Sequence, residues 1–383
     1  MKQKNPPNRV DFLFFEKSVV FLAFFCYNGV NEEGWGDAMH TVNEKIINAI
    51  IEKANKVCPN SLALIGIYGS YATGDVHAKS DLDLLILIQD DEGYKLATGF
   101  ILSDKGIGYD IYCMSRERLR DDAACHHAQL ARLMDSQIVY VKDQSAYDEL
   151  LLLREKAKAL LASEARFDRV AECLRQAKLC YANACLSDKL GEVRLEAFGV
   201  IQSLLDAVML YHGRYFKLGV KRVFEELATL PIDASFADTI QKIVMASDMF
   251  ELRALLKSLI LYTEGCMHKE KIKEKPSEAL SGTYEEIYSN WRGKMEEAAE
   301  RGDAYSSFAN LCCSSLMLKE IAEGVDVGSF ALMDAYCPHD LNENVAILER
   351  ALERYEEVYR QAGIKVKRFA NVDAFVASYW ERG

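Results

Sequence analysis

The sequence predicts an α+β protein, a mixed sheet with flanking helices followed by an all-α helical bundle, and three observations carry that expectation. Short apolar runs bounded by turn residues are confined to the stretch before residue 142, where they read as buried strands. From about Asp148 onward apolar positions recur at three and four residues almost without a break, as in amphipathic helices. Only six prolines interrupt a chain rich in Ala, Leu, Glu and Lys. At 383 residues the chain also exceeds the size at which one hydrophobic core stops growing. The expected organisation is an extension without assigned role over 1–38, a sheet-bearing domain over 39–148 and a helical domain over 149–383.

Element by element, Val42, Ile46, Ile47, Ile50, Ile51 and Ala54 mark an amphipathic helix that Cys58-Pro59-Asn60 stops. The run from Leu62 to Tyr68 is too short for a helix and reads as a buried strand, ended by Gly69-Ser70 and a polar loop to Ser80. A second buried strand spans Asp81 to Ile88. Tyr94 to Leu102 is expected to be helical, and Gly108 to Met114 a third strand. Ser115 is placed to cap a helix running to about Met134, before a short strand from Ile138 to Val141. Beyond it, helices are expected near 150–186, 192–212, 219–229, 234–268, 281–300, 303–323 and 341–362.

The bulk properties exclude several functions. A net charge of −12 argues against general nucleic-acid binding, whose affinity comes from Lys and Arg neutralising phosphates. Eleven scattered cysteines without a CxxC pair or Cys/His zinc spacing suggest reduced, mostly buried thiols in a cytoplasm. The apolar run Ser18 to Tyr27 could suggest a signal peptide, but Asp11 and Glu16 interrupt the basic region, no small-residue cleavage site follows, and it is too short to span a bilayer. No membrane association is expected.

Chemistry concentrates in Gly69-Ser70, then Asp81-Leu82-Asp83 at the head of an apolar strand, with Asp110 on a later strand. Strand alternation sends Asp81 and Asp83 to one face while Leu82 and Leu84 enter the other. Two carboxylates so close raise each other's pKa unless a cation neutralises them. Mg²⁺ is a hard cation held by a few carboxylates together with substrate phosphates. Two such ions about 3.5–4 Å apart can clamp the attacking and leaving oxygens of an in-line displacement at phosphorus, with Asp110 completing the second position. Gly69 permits close backbone approach and Ser70 supplies a hydroxyl and an N–H for triphosphate oxygens.

In these residues the chain resembles the polymerase-beta-like nucleotidyltransferase superfamily. The match runs over about 62–113, as YGSYATGDVHAKSDLDLLILI followed by GYDIYC. With helices following, it is similar to the aminoglycoside and lincosamide nucleotidyltransferases. The resemblance implies transfer of a nucleoside monophosphate from an NTP, ATP first among them, to an acceptor hydroxyl, with release of pyrophosphate. It implies Asp81, Asp83 and Asp110 as catalytic metal ligands, Mg²⁺ (two ions, with Mn²⁺ as an alternative) as cofactor, and Gly69 and Ser70 as nucleotide contacts. The acceptor is a small, antibiotic-like molecule or, on the antitoxin-like alternative, a protein; a non-catalytic nucleotide-binding protein of the same fold is the third reading.

Other residues are weaker signals. Lys79 is either a phosphate contact or a solvated loop lysine. His126-His127 with Asp121 and Asp122 could suggest a metal site, but adjacent helical residues diverge by about 100°. Arg120 to His126 also fits the R-x5-H spacing of the helical HEPN nucleases, a motif short enough to arise by chance. A general base is sought among Glu172, Glu192, Glu196 and Asp206, and Tyr211 to Phe216 is the best candidate for a cleft-lining element.

Overall fold

The computed structural model describes residues 35–76, 80–104, 106–218, 222–267, 273–276 and 280–380, the side chains of 35–41 and 380 excepted. The chain forms two compact units, residues 1–268 and 269–383. The boundary read from the sequence at 148/149 falls inside the first unit.

In the first unit α1 (Trp35–Val57) lays Ile47, Ile50 and Ala54 on a sheet, as their three- and four-residue spacing requires. That sheet has four strands in the order β5-β2-β1-β6. Strand β1 (Leu62–Tyr68) runs antiparallel to both β2 (Asp83–Ile88) and β6 (Gln137–Val141), and β5 (Cys113–Ser115) runs parallel to β2. Strands β3 (Thr98–Leu102) and β4 (Ile107–Ile111) form a separate antiparallel ribbon.

Alternation divides the side chains into two cores. Leu82, Leu84, Ile86, Ile88, Tyr109, Ile111 and Cys113 enter the core shared with α1. Leu85, Leu87 and Met114 enter the opposite core, which continues without a break through the helices as far as Ile260. Those helices include α3 (Arg116–Ala123), α4 (Ala131–Met134), α5 (Gln144–Ala162), α6 (Arg166–Leu186), α7 (Leu190–Tyr211), α8 (Val223–Leu227), α9 (Ser235–Met245) and α10 (Met249–Met267). This shared core is why the first compact unit extends past residue 148.

Helices α6 and α7 approach closely at Gly199, where a Cβ would lie 2.8 Å from the Cys180 sulfur. Together they hold the segment between α3 and α4 largely by its backbone. Arg169 donates to the Ala124 carbonyl at 2.9 Å, and Asp206 accepts the Ala128 N–H at 2.9 Å. The Phe216 N–H completes the set on the Ala128 carbonyl, also at 2.9 Å.

Two expectations need correction. The stretch from Tyr94 to Leu102 is the end of a 3-10 turn (Asp91–Leu96) followed by β3, so its apolar residues serve a ribbon instead of a helix face. The helix expected from Ser115 to Met134 does begin as read, with the Ser115 hydroxyl accepting the Arg118 N–H. It stops at Ala123, because Cys125 takes a positive φ of 53° and breaks it from α4.

In the second unit α11 (Thr283–Ile287) continues through a π-helical turn (Tyr288–Arg292) into α12 (Gly293–Arg301). Helices α13 (Ala304–Gly324) and α14 (Leu341–Gln361) complete its core, and α15 (Val372–Trp380) follows. Tyr284 is buried, whereas Tyr288 four residues on is exposed.

Candidate active site

The antiparallel register sets Tyr68, the last residue of β1, opposite Asp83, the first of β2. Just beyond Tyr68 the chain turns at Gly69, with φ 69° and ψ −146°, into a short helical turn α2 (Ser70–Thr73). The turn is tied by N–H bonds from Ala72 and Thr73 to the Gly69 carbonyl, both at 3.1 Å. Gly69 is required twice over. Its backbone conformation is one that L side chains rarely adopt, and a Cβ there would lie 2.0 Å from Asp83 Oδ2. The glycine therefore makes room for the carboxylate itself.

Asp83 is partly buried and its carboxyl is pushed up to about 6, first by burial and then by the negative charge of Asp81. Asp81 stands exposed just ahead of β2. Asp83 shares a face with Leu85 and Leu87, so the acidic pair belongs to the side of the sheet covered by α3 to α7.

Asp110 lies exposed on β4, opposite Gly99 of the ribbon. Asp110 belongs to the separate β3–β4 ribbon, and the parallel pairing of β2 with β5 begins only at Ile86 and Cys113, so among the described residues no strand pairing joins Asp110 to Asp83. The side chains do not close into a cluster: among the described residues no group of three or more His, Cys, Asp or Glu could hold a metal. Asp81 and Asp83 are thus brought together, whereas Asp110 is paired only with Gly99 of the ribbon. Lys79 and His77 lie outside the described residues.

The four carboxylates considered for a base separate clearly. Glu172 pairs with Arg175, Glu192 with Lys189, and Glu196 accepts from Asn183 on the exposed surface of α6 and α7. Asp206 faces the α3–α4 segment, and its carboxyl is pushed up to about 6 by burial, against the opposing pull of the Ala128 N–H and His127. Asp122 and His127 also meet, with 3.7 Å between His127 Nε2 and Asp122 Oδ1. The break at Cys125 makes that contact, which a continuous helix would prevent. Tyr211 and His212 line a cavity of about 410 Å³ between α7, α9 and α10. Val208 lines that cavity too, and lies about 200° around α7 from Asp206, so the cavity opens away from the Asp206 side.

Residues 45–159 match the family model described as "Nucleotidyltransferase domain". Residues 45–159 therefore form a nucleotidyltransferase domain of the polymerase-beta-like family. No curated protein matches the chain. Among solved structures it is similar to a nucleotidyltransferase-like protein from Exiguobacterium sibiricum 255-15, at 13% identity over 58% of this chain and 77% of that one, with a TM-score of 0.28. At that level nothing carries over from the other protein.

Proposed function

We propose that the protein moves a nucleoside monophosphate from an NTP, ATP first among them, to a hydroxyl of a small molecule, with pyrophosphate leaving. The observation that carries this reading is the Asp83 carboxylate, partly buried against Gly69 and facing the charge of Asp81. Such a pair is unfavourable unless a cation joins it. Two hard oxygen donors at the end of one strand suit Mg²⁺, which takes its other ligands from water and substrate phosphates. Asp81 and Asp83 would hold it, with Asp110 completing the position of a second ion. Bound there, divalent metal would polarise the phosphoryl oxygens and orient the attacking hydroxyl. Mn²⁺ would serve in the same ligand set.

The chain's own groups do the rest. The Gly69-Ser70 turn brings backbone against the triphosphate, and Lys79, two residues before Asp81 in the sequence, is assigned a phosphate contact. Residues 39–148 form the catalytic part on this reading, and the helices from 149 on receive the acceptor. The side of the sheet on which Asp83 lies supports helices after 149 as the acceptor side, since residues of α5 to α7 share its core. A cationic, antibiotic-like acceptor fits the net charge of −12. Free thiols at Cys58, Cys113 and Cys173 fit a cytoplasmic setting. Among the described residues no helix is long and apolar enough to cross a membrane.

The test is pyrophosphate release from labelled NTPs with Mg²⁺ and pooled hydroxyl acceptors, aminoglycosides among them. Wild-type protein is expected to release pyrophosphate with at least one acceptor, and Asp83→Asn to abolish it. Stabilisation by Mg²⁺-NTP without turnover on any acceptor would instead indicate a nucleotide-binding protein.

A further inference from the structure

We propose that Arg132 is a second source of positive charge in this site, its free guanidinium edge receiving the phosphate oxygens that depart as pyrophosphate, and that Asp122 is the residue holding it in place. The inference rests on the nucleotidyl-transfer reading above.

Position comes first. Ile67 of β1 pairs with Gln137 at the start of β6, and the Gln137 side chain donates to the Ala72 carbonyl in the turn after Gly69. Helix α4, which carries Arg132, ends three residues before Gln137. Arg132 therefore sits at the same end of the sheet as Gly69, Ser70 and Asp83. Tyr68, directly opposite Asp83, reports the same neighbourhood. Asp83 and Arg132 both lie near enough to act on the Tyr68 side chain.

Orientation follows from Asp122, which is only 1% exposed. Arg132 Nε and Nη2 both donate to its Oδ2, at 3.2 and 2.9 Å. The other carboxylate oxygen faces His127 Nε2 at 3.7 Å. His127 Nδ1 accepts the Gln129 N–H at 3.2 Å, so a neutral ring carries its hydrogen on Nε2, toward Asp122. Burial works against an ionised Asp122, but His127 and Arg132 outweigh it and hold the carboxyl below its ordinary value. One edge of the guanidinium is thus anchored in the protein. Nη1 makes no hydrogen bond among the described residues, and the side chain is 23% exposed. A planar fork with one edge fixed and the other open is suited to bidentate binding of phosphate oxygens.

Charge supplies the need. A triphosphate beside Asp81 and Asp83 concentrates negative charge that metal alone must otherwise neutralise. Arg222, the other arginine beside this loop, is already held by Asp75 at 3.3 Å and Glu225 at 2.7 Å. In the transfer, the acceptor oxygen bonds to the α-phosphorus as the bond to the bridging oxygen breaks, and pyrophosphate leaves with that electron pair. The hydroxyl proton passes to solvent or a base. Arg132 donates hydrogen bonds to the departing oxygens and transfers no proton.

The experiment is isothermal titration of the full chain with sodium pyrophosphate in MgCl2, beside steady-state kinetics. Arg132→Gln is expected to weaken pyrophosphate binding by about 10- to 100-fold and to lower kcat/KM by a similar factor. Arg132→Lys keeps a charge against Asp122 without the fork, and is expected to weaken binding about tenfold. Wild-type pyrophosphate affinity in a folded Arg132→Gln variant overturns the inference. Should that variant fail to fold, unchanged affinity in Arg132→Lys overturns it equally. Wild-type protein inactive on every acceptor counts against the transfer reading, whereas active wild type with indifferent Arg132 variants counts against this inference alone.

Discussion

Tyr359 in the C-terminal unit and Asp83 in the N-terminal unit are both polar side chains inside folded structure, yet their surroundings differ in kind. The Tyr359 hydroxyl accepts the Tyr284 N–H at 2.9 Å, shares a hydrogen bond with Thr283 at 2.8 Å and donates to the Leu280 carbonyl. Thr283 in turn bonds Tyr355 at 2.7 Å. Every group in that set finds its partner within the fold. Asp83 has a second carboxylate, Asp81, as its charged neighbour and a glycine kept bare to admit it. A polar group satisfied by its own fold stabilises that fold; one whose complement must come from outside marks a binding site.

The sharpest way to break the comparison is to remove the acids. Asp81→Ala and Asp83→Asn should each lower the pyrophosphate-release rate by at least about 10³-fold, with the far-ultraviolet circular dichroism unchanged. Retained turnover in either variant would reduce the pair to a surface feature. On the other side, Tyr359→Phe leaves the buried Tyr284 N–H without its acceptor, while Thr283 keeps its bonds to Tyr355 and the Leu280 carbonyl. It should cost about 2–3 kcal/mol in urea denaturation while leaving NTP turnover intact.

Gly69→Ala forces a Cβ into the Asp83 carboxylate at a positive φ. A loss of about 1–3 kcal/mol in stability is expected, together with a raised KM for Mg²⁺ if the displaced carboxylate holds the ion as proposed. Titration separates the two regions further. With a folded pKa of about 6 against an ordinary 3.8, Asp83 binds its proton more tightly in the folded state. Mg²⁺ must displace that proton, so its affinity should fall about tenfold per pH unit below pH 6, measured by titration of the full chain.

The smallest effect has the opposite sign. Folded protein holds more protons at Asp83 than unfolded protein between about pH 4 and 6, so this group's contribution to stability is lost as pH rises through 6. Asp83→Asn removes that cost and should stabilise the metal-free protein at pH 7.5 by about 1 kcal/mol in urea. A destabilised Asp83→Asn would show that the fold already neutralises this charge.

The local code of the site was open to reading from residue order. Short apolar runs bounded by turn residues placed β1 and β2, and Ser115 announced its cap, because each depends on neighbours a few positions away. Residue 148 looked like a boundary because periodicity changes there. Packing nevertheless crosses it: Leu85, Leu87 and Met114 share a core with residues out to Ile260, a fact that no local pattern contains. The break at Cys125 was equally hidden, since a non-glycine residue at positive φ leaves no mark in the sequence and is held here by bonds from Arg169, Asp206 and Phe216. That break is what brings His127 and Arg132 onto Asp122. The acids were therefore legible in sequence as an Asp-x-Asp at the head of a strand, whereas the bonds from Arg132 to Asp122 needed separate segments to be folded together.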